Sequence, residues 1–371
     1  MGGILATRQS SRRVWFGLLA GLVLLGFLIA SRPSATRIPR ENPHGENTDS
    51  VTNSTLGFSK IFTVGLPERT DKRDAFALAS ALTGFYVTFV DAVRGESVPD
   101  RAIPFEVDRK ALMETNVGSW RSHMNAIRRH GIVEEDLESA LILEDDMDWD
   151  VRLKTQLKEV AKGARQLIPP GGASSSPYGD SWDVLWLGQP VANQDADADG
   201  SCGEVFPEQL PENKGKPKHP KYIILNDVTV PPREKLTGLV DFSDHPEFTR
   251  WVHVSGGPIC SFAYALSQRG ARKVLFDLSI DHLGAPFDNA LAGFCRDGAS
   301  GNPDGLQPKC LSVTPPVFFH HRAKGRVSSD SDIQGVTNAD VREKGTTENI
   351  MWSARNNLRN MLLGLEMESQ F

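Results

Sequence analysis

Seventeen consecutive uncharged, largely apolar positions, Val14 to Ala30, open the chain, and Arg8, Arg12 and Arg13 precede them. Beyond residue 57 the pattern becomes short apolar runs alternating with amphipathic stretches. Phe58–Leu66 and Tyr86–Ala92 read as strands flanking a helix over Asp71–Leu82, a β-α-β opening that implies a parallel sheet. Helical spacing returns over Thr115–His130 and Val151–Leu167, and Ala140–Leu143 between them reads as a buried strand ending in acidic residues. Asp183–Leu187, Tyr222–Leu225 and Pro316–Phe319 read as further strands, and Cys260–Leu275 and Ile350–Leu365 as helices. The intervening segments 169–181 and 188–221, rich in Pro, Gly and charge, read as surface insertions. The expected class is α/β: a single domain over residues 58–371 with a mainly parallel central sheet.

At ~1.5 Å per residue the first apolar run reaches about 26 Å as a helix, enough for a thin secretory-pathway membrane. It is expected to be an uncleaved signal-anchor over residues 14–30, with a cytoplasmic tail over 1–13; a cleaved signal peptide ending near Ala30 is the rival reading. Arg32, Arg37 and Arg40 follow the run, so charge alone does not orient it. Residues 31–57, poor in apolar side chains, read as a flexible lumenal stalk, and Asn53-Ser54-Thr55 is an N-glycosylation sequon within it. Together these favour a single-pass type II protein of the Golgi or endoplasmic reticulum membrane. A lumenal domain permits disulfides among Cys202, Cys260, Cys295 and Cys310; turn formers between Cys295 and Cys310 favour that pair. The net charge of −6 leaves no basic footprint, so no nucleic-acid partner is expected.

The sharpest chemical feature is Glu144-Asp145-Asp146, three carboxylates delivered to the end of an apolar strand, where α/β sheets place ligands. Their mutual repulsion is relieved by a divalent cation that prefers hard oxygen ligands, or alternatively by a solvated turn at a helix start. A glycoside hydrolase is a poor match, because it needs two acids on opposite sides of a glycosidic bond.

The chain resembles glycosyltransferase family 25, which includes lipooligosaccharide and procollagen galactosyltransferases. The resemblance runs from Phe58 to Ile333 through Ile61–Arg73, Phe89–Val93, Gly118–His123, Glu144–Asp146, Trp182–Gly188, Ala263–Lys273 and Pro286–Leu291, in the family's order. Gly65 stands where the family usually has Asn, Lys72 replaces an Arg, and Trp120 sits in the Gly-Cys-x-x-Ser-His segment. What the resemblance implies is a GT-A-like fold, a nucleotide-sugar donor, usually a UDP-sugar, Mn²⁺, and inversion at the anomeric carbon. The expected function is transfer of a hexose, galactose favoured, to a glycan or glycoprotein acceptor. The alternative is a catalytically inactive sugar-binding or accessory protein with the same fold.

On this reading Asp145 and Asp146 hold the metal, while Arg69, Arg73, Ser122, His123, Glu144 and Asp145 contact the donor. Arg69 and Arg73 lie where a strand hands over to a helix, a position suited to phosphates, though pairing with Glu68 and Asp71 is equally open. Ser122 and His123 either orient the acids and the donor ribose or belong to the core. Asp288, in a Pro-x-Asp segment, is the candidate base for the acceptor hydroxyl; helix capping is its other role. Asp195–Gly200 copies half of an EF-hand loop but has Phe206 at the twelfth position. His320-His321, approaching a diphosphate or ending a strand, and Ser328–Asp332, a loop, stay outside the expected site.

Overall fold

A computed structural model describes residues 48–371 apart from 105–106, 129–131, 173, 189–205, 238–241 and 334–338. The apolar run 14–30 and the half EF-hand at 195–200 lie outside the described residues. No described helix is long and apolar enough to cross a membrane.

An eight-stranded sheet organises the domain. In chain order its strands are β1 (Lys60–Gly65), β2 (Thr88–Asp91), β3 (Ser139–Glu144), β5 (Val184–Gly188), β6 (Lys221–Ile224), β7 (Arg250–Val254), β8 (Ala263–Ser267) and β9 (Cys310–Thr314). Their spatial order is β2-β1-β3-β8-β5-β9-β7-β6. β1 pairs in parallel with β2 and β3, and β5 with β9, whereas β8 and β7 run against both their neighbours. Strand direction is therefore mainly parallel, with two reversed strands inserted.

Period-two alternation along the strands builds a core on each face. Ile61, Leu141, Leu143, Leu185, Ala265 and Val313 point to one face. There they meet Phe76 and Ala79 of α1 (Thr70–Leu82) and Leu157 and Val160 of α3 (Leu153–Leu167). Phe62, Ile142, Trp186, Tyr264 and Leu266 point to the other face. These pack on Trp120 of α2 (Glu114–Arg128), Val274 of α4 (Gln268–Phe276) and Leu291 of α5 (Phe287–Ser300). A second antiparallel sheet, β13 (Thr346–Thr347), β10 (Phe318–Arg322) and β4 (Met147–Trp149), crosses the end of β3.

Three expectations change. Ala263–Ser267 is a strand, not the first half of a helix. All five residues are buried between β3 and β5, and the helix starts only where Ser267 Oγ accepts the Gly270 N–H at 3.1 Å. The apolar spacing over Ile350–Leu365 yields a helix only at α6 (Leu358–Leu363). Earlier in that segment the backbone bridges Asp150 through Ser353, and polar side chains there are committed to β4. The expected stalk also ends sooner: Val51 and Leu56 are fully buried in the core, so the packed chain includes residues assigned to a linker. Asn53 stays exposed, its side-chain Oδ1 accepting the Thr55 and Gly57 N–H groups.

Cys295 and Cys310 form a disulfide joining α5 to β9, as expected, and Cys260 is disulfide-bonded as well.

Candidate functional site

The β3 strand carries Leu141–Leu143 through the core and ends at Glu144, so the turn Asp145-Asp146 emerges beside the end of β1, which pairs with it. Close approach is possible because position 65 has no side chain: a Cβ there would lie 2.0 Å from Asp145 Oδ2. Arg355, itself buried, clamps the turn by donating to the carbonyls of Asp145 (2.8 Å) and Met147 (3.1 Å). The His321 N–H donates to the Asp146 carbonyl at 2.8 Å, which fixes β10 against the turn.

That register brings His320 to the acids. Its Nε2 lies 3.3 Å from Asp146 Oδ1 and 3.7 Å from Glu144 Oε2, and Glu144, Asp146 and His320 each offer a ligand atom within 4.8 Å of the others. Asp145 is not one of the three; it turns toward Gly65 and Lys72. Glu144 Oε1 accepts from Ser261 Oγ at 2.9 Å. Asp146 Oδ1 and His320 Nε2 face each other as an ion pair outside good hydrogen-bond geometry, and Asp145 Oδ2 is buried without a hydrogen-bond partner, which is costly. Two carboxylates and an imidazole are a donor set suited to Mn²⁺, so the residues fit the expected metal.

The protein supplies cations of its own. Lys72 Nζ lies 3.1 Å from Asp146 Oδ2, 3.7 Å from Asp145 Oδ1 and 2.9 Å from Asp332 Oδ2. Burial opposes its charge, but Asp146 and Asp145 outweigh burial and hold the ammonium protonated. Burial likewise opposes the charge on His320, yet Asp146 pushes its pKa up to about 9. Burial also works against the Asp146 carboxylate, which His320 and Lys72 nevertheless hold far below the usual range. Asp145, desolvated and beside Asp146, rises to about 7.

Not every residue expected here arrives. Ser122 Oγ donates to the Gly118 carbonyl (2.6 Å) and accepts the Val93 N–H (2.9 Å), a strut between α2 and the chain after β2. Arg73 donates to the Gly65 carbonyl (2.8 Å) and to Asp91 (2.6 Å), joining the ends of β1 and β2. Arg69 pairs with Asp71, as one of the two readings had it, and also with Asp332 at 2.6 Å. Asp148 and Asp150, just beyond the acidic turn, are buried structural acceptors: Thr347 Oγ1 donates to Asp148 at 2.6 Å and the Trp352 N–H to Asp150 at 3.0 Å.

His123 lies at the edge of the site. Its ring stacks on Phe287 at 4.4 Å, Nδ1 shares a 2.9 Å hydrogen bond with Tyr264 Oη, and Nε2 is 3.9 Å from Glu144. Burial depresses its pKa to about 4, so it is a neutral wall. Asp288 follows Phe287 in the first turn of α5. Burial raises its carboxyl, the Asn289 N–H pulls it back, and the charge of Glu144 raises it again. Lys72, His320, Ser261 and Asp332 join the site without having been expected in it. The His-His pair and the Ser-Asp segment were visible signals, but only the crossing of β10 over the turn shows which histidine faces the acids. No protein-family model matches the chain, and no curated protein matches it.

Proposed function

We propose that the chain is a membrane-anchored glycosyltransferase with a GT-A-like domain, transferring a hexose, galactose favoured, from a UDP-sugar to a glycan or glycoprotein acceptor with inversion. The observation that carries the reading is the half-buried trio Glu144, Asp146 and His320, whose ligand atoms converge within 4.8 Å at the carboxyl end of β3, with Asp288 placed so that the charge of Glu144 raises its carboxyl. The ordered resemblance to family 25 supports the donor class, and the disulfides support a lumenal domain in the Golgi or endoplasmic reticulum.

Glu144, Asp146 and His320 would hold Mn²⁺, which when bound supplies positive charge to offset that of a diphosphate leaving group. Asp288 takes the proton of the acceptor hydroxyl; a carboxyl raised by burial is a stronger base than an exposed one. The acceptor oxygen forms its bond to the anomeric carbon as the bond from that carbon to the diphosphate oxygen breaks, and UDP departs with the electron pair. Neutral His123 and the Phe287 ring it stacks on keep the wall beside Glu144 free of competing charge.

One observation favours the non-catalytic alternative: Lys72 and His320 already supply counter-charges to the acids. A screen of UDP-sugars against the full-length chain separates the two. Mn²⁺-dependent binding with release of UDP is the expected result; a protein that binds sugars yet releases no UDP from any donor is an accessory protein.

A further inference from the structure

We propose that Asp332 is an internal substitute for a phosphate group, seated on an anion subsite formed by Arg69 and Lys72 and displaced when a diphosphate binds. The inference rests on the nucleotide-sugar reading for its natural ligand, but the subsite is argued from these residues alone. Asp332 lies 260 or more positions from both cations, and its carboxylate bridges them, at 2.6 Å from Arg69 Nη1 and 2.9 Å from Lys72 Nζ. The two cationic side chains are only 17% and 11% exposed, while the carboxylate between them is 30% exposed and is the partner open to solvent. Asp71 also pairs with Arg69, and Asp146 and Asp145 with Lys72, but Asp332 is the carboxylate that both cations share, and it comes from a distant loop. A phosphate group presents the same acceptor geometry to a guanidinium and an ammonium, with more charge.

The surroundings suit exchange. Arg69 is the N-cap of the thirteen-residue α1 and makes no side-chain capping bond, so the helix's positive end adds to the same place. Lys72 also reaches Asp146, which ties the anion subsite to the candidate metal trio. The loop bearing Asp332 has its own tether: Arg342 binds Asp330 at 2.8 Å and the Ala323 carbonyl at 2.8 Å, and the strands Gly325–Arg326 and Val341–Arg342 pair beside it. Withdrawal of Asp332 therefore leaves the rest of the fold in place.

Binding of inorganic pyrophosphate to the full-length chain, followed by titration calorimetry at low ionic strength without metal, tests this. If Asp332 occupies the pair most of the time, Asp332→Asn tightens pyrophosphate binding roughly tenfold, because apparent affinity scales with the fraction of sites free. Arg342→Ala, which loosens the tether without touching the pair, shifts affinity in the same direction. Adding Lys72→Met to Asp332→Asn removes the gain. Circular dichroism and the thermal midpoint verify folding of each variant. Unchanged or weaker pyrophosphate binding by folded Asp332→Asn overturns the proposal, even where UDP-sugar turnover is intact. Conversely, tighter binding in a protein that turns over no donor leaves the subsite standing and removes the transferase reading.

Discussion

Gly65 and Asp145 are fitted to each other: a Cβ at position 65 would sit 2.0 Å from Asp145 Oδ2, 2.5 Å from its Cγ and 2.8 Å from its Cβ. Because the last of these is the root of the side chain, rotation of the carboxylate does not clear the space. The packing of Asp145 thus leaves no room for a side chain at position 65. Gly65→Ala is expected to destabilise the fold by about 1–3 kcal/mol and to weaken Mn²⁺ binding by displacing the acidic turn. Urea denaturation of Gly65→Ala, Asp145→Gly and the double variant measures the coupling, because Asp145→Gly removes every atom the new Cβ would strike; strict additivity of the two losses would refute the contact as the cause.

Under the proposed function, metal holding and proton transfer would separate by residue. Asp146→Asn and His320→Asn each remove one proposed ligand, so Mn²⁺ affinity by calorimetry should fall at least tenfold, and Mn²⁺-supported UDP binding with it. Asp288→Asn should keep UDP affinity while lowering transfer by roughly 10²–10⁴-fold, the usual worth of a positioned base. Near-normal transfer by Asp288→Asn makes that residue a helix cap and moves the base elsewhere.

The strands that hold the site were readable because their apolar runs are short and bounded, as in Leu141–Leu143 before Glu144. Ala263–Ser267 was misread because a small apolar pentapeptide followed by a true helix keeps helical spacing across the junction. Within the site, Glu144 and Asp146 were legible because consecutive acids after an apolar strand are conspicuous. Their partners were not: Lys72 and Asp332 are 74 and more residues away in sequence from Asp146, and which histidine faces the acids depends on the register in which β10 pairs with β4. Of the two readings of Ser122 the structure supports the core one: adjacency to His123 in sequence does not survive on a helix, where neighbours point about 100° apart.

The fold should lose stability below neutral pH through His253. Its ring is buried on β7, with Nδ1 2.8 Å from the Val254 carbonyl and Nε2 3.0 Å from Thr314 Oγ1. Burial lowers its pKa from 6.5 to about 4, against a smaller upward pull from the Val254 carbonyl. The unfolded chain therefore takes up a proton between about pH 6.5 and 4 that the folded chain refuses, so stability falls across that window as pH falls. The linked loss is on the order of 3 kcal/mol by pH 4. Urea midpoints at pH 7 and pH 4.5 should differ less in His253→Gln than in the wild type; an identical pH dependence assigns the loss to other groups.

The disulfide between Cys295 and Cys310 closes a segment with a sequence separation of 15 that links the middle of α5 to the start of β9. In the chain-entropy account a loop of this size contributes about 3 kcal/mol by restricting the unfolded chain. Replacing both residues with Ser adds a packing cost, because both sulfurs are buried and Trp186 Nε1 lies 3.4 Å from Cys295 Sγ. The double variant should unfold at distinctly lower urea, with Trp186 fluorescence altered in the folded state because a quenching sulfur is gone. The acidic turn is held separately, by Arg355 and the β10 strand, so Mn²⁺ affinity of the folded double variant should stay within about threefold of wild type. A loss of metal binding larger than the loss of folded protein would mean that the α5 end carrying Asp288 is coupled to the acids through more than electrostatics.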